Sequence, residues 1–151
     1  EIPAIPVGVI DSVVIPAHEG FPTGKASYFW SSNGWANDWV HGLDMEASSV
    51  SWQLDIIHSG TYQCFVNYAS KAGSARLSLQ LGGNHIEKEL PSFVPVPDQN
   101  YSRIDRSAEA IGQTWRRENL GKLVLNSGLE SLVIHAADPE LELLSVVLVR
   151  K

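Results

Sequence analysis

The chain has 151 residues, of which 44% are hydrophobic and 19% are charged, and its formal net charge is −6. This composition is typical of one folded domain and excludes a wholly disordered chain. The acidic balance argues against general nucleic-acid binding, and no apolar run reaches the ~18 residues of a membrane span. The single cysteine, Cys64, permits no internal disulfide, and no cysteine or histidine spacing resembles a zinc site.

The start of the chain indicates a piece of a larger protein. The first residue is Glu1 rather than methionine, and no signal peptide is visible. We expect a processed or excised fragment that forms a single domain over residues 1–151. Within it, the proline-rich residues 1–8 are predicted to be a linker or a strap along the edge of the domain.

Most of the chain alternates between apolar and polar residues, a pattern that indicates half-buried β-strands. Gly82-Gly83-Asn84 and Asn126-Ser127-Gly128 predict tight turns. The last strand is apolar on both faces, which predicts a central position. We predict an all-β fold, an antiparallel β-sandwich of the jelly-roll type. The predicted strands cover residues 9–15, 50–56, 62–68, 77–81, 86–90, 123–125, 132–134 and 141–149.

Two long segments, Pro16–Ser49 and Pro91–Asn119, lack the strand pattern. Long segments of this kind in a compact domain are usually functional or disordered, and their aromatic content argues against disorder. The second segment contains Ala108–Arg117, the best helix candidate of the chain, although Gly112 weakens it. We therefore expect the functional residues in these two segments.

The first segment has the composition of a sugar-binding site. Trp30, Trp35 and Trp39 lie within ten residues among short polar side chains, including Asn37 and Asp38. A sugar ring has apolar C–H faces surrounded by hydroxyl groups, so it binds to a flat aromatic ring beside small hydrogen-bonding groups. Trp35 is the first choice for such a platform. The alternative is that these tryptophans, Trp39 above all, fill the core.

The second segment has a local excess of positive charge. Arginine binds carboxylate or sulfate in a bidentate manner, so this segment could contact an acidic glycan. The alternative is that Arg103 and Arg106 form ion pairs within the segment; for Arg116 and Arg117, which adjoin Trp115, both interpretations stay open. The charged residues between Tyr101 and Lys122 are Arg103, Arg106, Arg116, Arg117 and Lys122 against Asp105, Glu109 and Glu118.

Catalytic motifs are absent from the sequence. It has no nucleophile elbow, no H-E-x-x-H motif and no phosphate-binding glycine loop. A glycosidase needs two carboxylates across a cleft, a separation that a sequence does not show. A small hydrolase is therefore the least favoured hypothesis, and each histidine is interpreted as structural. The candidate carboxylates are Asp38, Asp44, Glu46, Asp105 and Glu109.

Three stretches resemble two groups of β-sandwich domains. Ser49–Ala69, SVSWQLDIIHSGTYQCFVNYA, resembles the W-x-(I/V)-x-x-x-G-x-Y strand pair of carbohydrate-binding modules related to families 6 and 35. Tyr101–Ala136 looks like the end of accessory β-sandwich domains found C-terminal to bacterial arylsulfatases. The matching positions of this second stretch are Asp105-Arg106, Glu109, Trp115, Leu120-Gly121, and Gly128 before Leu132. The third stretch, the closing Leu141–Lys151, LELLSVVLVRK, matches the final strand of both groups.

The resemblance implies a galactose-binding-like sandwich that binds carbohydrate and requires no cofactor. In the family 6 type, an N-terminal Glu-x-Glu helps to hold a structural calcium ion. Here the nearest counterpart is Ile10-Asp11-Ser12, so a bound calcium ion stays open. The Trp30–Trp39 segment has no family counterpart, and its assignment to the ligand site rests on its chemistry.

Together these observations predict a non-catalytic carbohydrate-binding module of a secreted, periplasmic or cell-surface protein. Its partners would be a polysaccharide, sulfated or acidic if the arginines contact it, and the catalytic domain of a parent sulfatase or glycoside hydrolase. The predicted ligand-binding residues are Trp30, Trp35, Asn37, Asp38, Arg103, Trp115, Arg116 and Arg117. The main alternative is a structural accessory domain that packs against that catalytic domain, since interfaces are also enriched in tryptophan and arginine.

Overall fold

The computed structural model describes residues 4–28, 39–70, 75–94, 115–137 and 140–151. In these ranges the chain forms twelve β-strands and one short 3-10 helix, Ala17–Glu19. None of the helical structure in these ranges is long and apolar enough to cross a membrane. The strands are β1 Ile5–Val7, β2 Ser12–Pro16, β3 Phe21–Pro22, β4 Ser27–Tyr28, β5 Val40–His41, β6 Val50–Ile56, β7 Gly60–Ala69, β8 Ala75–Leu81, β9 Asn84–Leu90, β10 Arg116–Leu125, β11 Gly128–Ala136 and β12 Glu142–Arg150.

The strands form two six-stranded sheets. Sheet A has the order β1-β6-β11-β8-β9, with β3 also paired to β6. Sheet B has the order β10-β7-β12-β5-β4, with β2 also paired to β12. Every pairing is antiparallel except that of β1 with β6. The predicted jelly-roll β-sandwich is therefore confirmed.

Alternation along the strands builds the core between the sheets. In β6 the side chains of Val50, Trp52, Leu54 and Ile56 are buried, and the residues between them are not. The buried indole of Trp52 donates a hydrogen bond from Nε1 to the carbonyl oxygen of Pro16, at 2.9 Å. In β7 the facing layer consists of Tyr62, Cys64, Val66 and Tyr68. Burial in this layer raises the pKa of the Cys64 thiol to about 12.

Most of the predicted strands are present. The predicted ranges from residue 50 to residue 90 correspond to β6, β7, β8 and β9, and the Gly82-Gly83 turn joins the last two. The strand at the end of the chain, β12, lies between β7 and the pair β2 and β5, so its predicted central position is also confirmed. Pairing extends β10 and β11 well beyond the few residues that the alternation indicated.

Two element predictions are wrong in part. The strand predicted over Val9–Ile15 begins only at Ser12, and Val9 and Ile10 are exposed. The chain turns there because Gly8 has φ +100°, a conformation that other residues rarely adopt. The helix candidate Ala108–Arg117 does not extend to its end, because Arg116 and Arg117 are the first residues of β10. Residues 108–114 lie outside the described ranges.

Side chains join the two edge strands at one side of the sandwich. β9 ends sheet A and β10 ends sheet B. The Asn84 amide bridges them: its Nδ2 donates to the Val124 carbonyl oxygen at 2.9 Å, and its Oδ1 accepts from the Val124 N–H at 3.3 Å. Lys88 Nζ donates to the Asn119 carbonyl oxygen at 2.5 Å. This closure places β9 side chains beside the start of β10.

Candidate functional site

Three of the eight predicted ligand-binding residues fall in the described ranges: Trp115, Arg116 and Arg117, at the start of β10. The other five, Trp30, Trp35, Asn37, Asp38 and Arg103, lie outside these ranges, so their roles stay predictions.

Strands from both sheets end at the same end of the sandwich, which we call the loop end. In sheet B, Arg116 of β10 and Leu143 of β12 both pair with Tyr68, near the last residue of β7. A bridge between Ser70 and Phe93 then joins the residues that follow β7 and β9. The long segment between Val94 and Trp115 therefore rejoins the sandwich here.

Trp39 and Trp115 bring the two predicted functional segments together at the loop end. Their ring centroids lie 5.1 Å apart at an interplanar angle of 68°, an edge-to-face contact. Trp39 directly follows residues 29–38, and Trp115 directly follows residues 95–114. Trp39 is 7% exposed, in agreement with its interpretation as a buried residue. The first segment, Pro16–Ser49, and the second, Pro91–Asn119, are thus adjacent where each rejoins the sandwich. We call them the tryptophan-rich and the arginine-rich segment.

Arg117 lies on the outer face of sheet B. It pairs with Asn67 across β10 and β7, and its guanidinium carbon lies 5.5 Å from the ring centroid of Phe65. Its Nε donates a long hydrogen bond of 3.4 Å to Asn67 Oδ1. The Asn67 amide in turn donates to Ser145 Oγ at 2.9 Å. An aromatic ring, a cation and an amide are thus grouped on one sheet face, a combination suited to a sugar ring.

Arg116 lies on the opposite side of β10, in the gap between β10 and β9. Its Nε is 3.2 Å from Glu118 Oε1. Lys88 Nζ, from β9, is 3.5 Å from Glu118 Oε2. Adjacent residues of a strand point to opposite faces, so the two neighbouring arginines take part in different sites. The sequence predicted both arginines as ligand-binding residues without distinguishing their positions.

Tyr68 forms the floor of the gap beside Arg116. Its hydroxyl group donates a hydrogen bond to the Pro91 carbonyl oxygen at 2.5 Å. Burial raises the pKa of Tyr68, an effect that the nearby charge of Arg116 opposes and that of Glu118 supports. The phenol is therefore neutral at physiological pH and acts as a hydrogen-bonding group.

Sequence reasoning missed three residues of this region. Phe65 and Lys88 were not singled out, and Glu118 was named only among the charged residues of its segment. The alternation in β7 and β9 did indicate the faces of Phe65 and Lys88. Which residues of β10 lie beside them is set by the pairing between distant strands. The alternation within a single strand does not predict that pairing.

Among the candidate catalytic carboxylates, Asp44 has a structural role. Its Oδ1 accepts hydrogen bonds from the backbone N–H groups of Glu46, Ala47 and Ser48, at 3.0, 2.7 and 2.9 Å. These bonds hold the pKa of the Asp44 carboxyl well below its ordinary value. A carboxylate kept ionised in this way stabilises a turn and is a poor general acid.

The described residues offer no cluster of carboxylates for the structural calcium ion of the family 6 type. In these ranges, no group of three or more histidine, cysteine, aspartate or glutamate side chains could hold a metal ion. Asp11, in the nearest counterpart to the family motif, forms an ion pair with Arg150, with its Oδ1 3.6 Å from Nη2, and its side chain is 86% exposed.

Comparison by sequence finds no matching family model and no matching curated protein. Comparison by structure finds many similar folds. One is the C-terminal CBM6 of LamC, a marine laminarinase from Zobellia galactanivorans, with a TM-score of 0.63, 16% identity, and coverage of 92% of this chain and 99% of that one. Another is the CBM6cm-2 module of Cellvibrio mixtus lichenase 5A in complex with cellotriose, with a TM-score of 0.63, 16% identity, and coverage of 92% and 97%.

A third similar structure is the GH26-CBM35 β-(1,4)-mannanase of Podospora anserina, with a TM-score of 0.68 and 15% identity. The match covers 93% of this chain but only 28% of the mannanase chain. At these identities the likeness concerns the fold. The chain therefore has the β-sandwich fold found in carbohydrate-binding modules of the CBM6 and CBM35 types.

Proposed function

We propose that this chain is a non-catalytic carbohydrate-binding module. The observation that carries the proposal is the contact between Trp39 and Trp115, which joins the tryptophan-rich and arginine-rich segments at one end of the sandwich. The fold supports it, because two of the similar structures are CBM6 modules matched over nearly their whole length, one of them in complex with cellotriose. Function does not follow from fold alone, so the aromatic and polar chemistry at the loop end is the stronger part of the argument.

The predicted residues divide the work of binding a sugar chain. Trp30 and Trp35 stack on sugar rings, and Asn37 and Asp38 bond to hydroxyl groups. Trp115 is an anchor, because its ring is fixed against Trp39. If the glycan is acidic or sulfated, Arg103, Arg116 and Arg117 contact its charged groups.

Such a module acts by targeting. A weak site holds a parent enzyme on its polymer, and the linkage raises the effective concentration of the substrate without new chemistry. The proposed parent is a polysaccharide-degrading enzyme, a glycoside hydrolase or a sulfatase, in a secreted, periplasmic or cell-surface location. The arylsulfatase link rests on the Tyr101–Ala136 resemblance.

Affinity electrophoresis through gels that contain neutral and acidic polysaccharides tests the proposal. We expect selective retardation of the wild-type domain by at least one polymer, and loss of that retardation in Trp35→Ala without a large fall in melting temperature. Phe21→Ala is the matched control, because it removes an aromatic ring that is 60% exposed on sheet A. If no polymer retards the wild-type protein, carbohydrate binding is the wrong function. A large fall in melting temperature would instead mark Trp35 as a core residue.

One observation favours the structural accessory domain as the second candidate. Several large apolar side chains are exposed around the end of the sandwich opposite the loop end: Val9 at 66%, Ile10 at 68%, Ile57 at 41% and Leu129 at 64%. Exposed apolar groups that lie together are typical of contacts between protein surfaces. A domain that binds no polysaccharide but binds the rest of its own parent chain would support this candidate.

A further inference from the structure

Three charged side chains meet in the gap between the two edge strands. Glu118 lies between Arg116, on its own strand β10, and Lys88, on β9 of the other sheet. The pairing register puts Glu118 opposite Val66 and Lys88 opposite Leu77, two residues with no exposed surface. Arg116 pairs in the same way with the buried Tyr68, so all three side chains project towards the inside of the sandwich and emerge between β9 and β10.

The charges of this group do not cancel. Arg116 Nε and Lys88 Nζ lie 3.2 and 3.5 Å from the two oxygens of the same carboxylate, so one negative charge serves two positive charges. Within the described ranges, Arg116 and Lys88 each form this one ion pair. The neighbouring carboxylates of β9, Glu87 and Glu89, alternate onto the outer face of sheet A.

The group is accessible from solvent and yet partly shielded. The side chains of Arg116 and Lys88 are 43% and 39% exposed, whereas that of Glu118 is 19% exposed. An incoming anion can therefore reach both cations, and its attraction to them is screened less than at a fully exposed site. Trp115 directly precedes Arg116, which puts the group beside the aromatic contact of the proposed sugar site.

We propose that Lys88 and Arg116 form a subsite for an acidic group of the glycan, a carboxylate or a sulfate, with Glu118 as a competing internal anion. The inference rests on the proposed carbohydrate binding and names the class of ligand. When an acidic group of the glycan binds, it adds a second negative charge to that of Glu118. The two cations, Lys88 and Arg116, are then matched by two anions. Lys88 thereby joins the site from the opposite sheet. Glu118 limits the affinity, because it already neutralises part of the positive charge.

Pairs of polymers with one backbone and different charge test the inference. Carboxymethylcellulose is compared with hydroxyethylcellulose, and dextran sulfate with dextran, by affinity electrophoresis of the isolated chain. We expect the wild-type protein to bind the acidic member of at least one pair more tightly. A preference for the acidic polymer within the cellulose pair indicates a carboxylate, and a preference within the dextran pair indicates a sulfate.

Two variants with opposite expected effects test the roles of the cation and of the competing anion, and a third variant separates recognition from a change in overall charge. Lys88→Gln should weaken binding to the acidic polymer about two- to fivefold, the range expected for one partly exposed ion pair. Glu118→Gln should strengthen it by a similar factor, because it removes the competing anion. Neither variant should change the affinity for the neutral polymer. Lys122→Gln is the control, since it removes the same charge from an exposed position of β10.

The outcomes also separate this inference from the proposed function. Retardation by neutral polymers, with no preference for their acidic partners and no effect of Lys88→Gln, would overturn the inference and leave carbohydrate binding intact. Weaker acidic binding in Glu118→Gln, or an equal loss in Lys122→Gln, would also overturn it. If none of the four polymers, nor any of the wider panel, retards the protein, both proposals are wrong. Should Lys88→Gln fail to fold, Glu118→Gln decides.

Discussion

At the scale of single residues, the position of a side chain in the alternation of its strand decides its role. Arg116 and Arg117 are neighbours in sequence, but one lies in the gap with Glu118 and the other lies on the outer face with Phe65. A variant that changes both arginines would mix two effects. Single substitutions are therefore the appropriate experiment at this strand.

Trp52 illustrates a residue with a purely structural role. It is 4% exposed, and its indole N–H bonds to the Pro16 carbonyl oxygen at 2.9 Å. Trp52→Ala removes a large apolar side chain and leaves a cavity and an unpaired carbonyl group. We expect the free energy of unfolding, measured by urea denaturation, to fall by ~3–5 kcal/mol.

A less severe substitution gives the control for this prediction. Trp52→Phe keeps an aromatic ring in the core but loses the hydrogen bond, so its cost should be clearly smaller. A loss below about 1 kcal/mol for Trp52→Ala, the level typical of surface sites, would contradict the packing described for this strand.

At the scale of elements, the sequence predicted strands well where both faces of the pattern were clear. The alternation of β6 is complete from Val50 to Ile56, and the predicted and observed strands agree there. The start of β10 lacks this signal, because Arg116 to Asn119 are all polar. Those residues are extended because they pair with β7, from Tyr68 to Phe65, and such pairing between distant segments leaves no local pattern.

One amide makes two of the hydrogen bonds that close the sandwich between β9 and β10. Asn84 bonds to both backbone groups of Val124 and also donates to the Leu81 carbonyl oxygen at 3.1 Å. Asn84→Ala would leave these groups without their partner. Because water can reach the exposed Val124, we expect a modest loss of about 0.5–1.5 kcal/mol in unfolding free energy and faster amide hydrogen exchange at Val124.

The turn residue Asn126 provides the control for this closure, since it is exposed in the link between β10 and β11. Asn126→Ala should leave both the stability and the exchange rate at Val124 close to those of the wild type. Equal effects of the two substitutions would show that the Asn84 amide does not hold the edge strands together.

At the scale of the whole molecule, the sequence located the candidate site only in part. The tryptophan-rich and arginine-rich segments were identified because their composition departs from the strand pattern. Their meeting at Trp39 and Trp115 joins residues 76 positions apart, which composition does not predict. The contact between Lys88 and Glu118 was missed for the same reason, since the two residues come from different sheets.

The contact between Trp39 and Trp115 should therefore couple the two segments energetically. It fixes the points at which both long segments rejoin the sandwich, so its loss affects more than one strand. A double-mutant cycle with Trp39→Ala and Trp115→Ala measures the coupling by urea denaturation. We expect a coupling free energy of about 0.5–1.5 kcal/mol, the range for an edge-to-face aromatic pair. A second cycle, Trp39→Ala with Phe21→Ala on the other sheet, should be additive. Additivity in the first cycle would mean that the two segments are held independently, and the argument for a single joined site would fail.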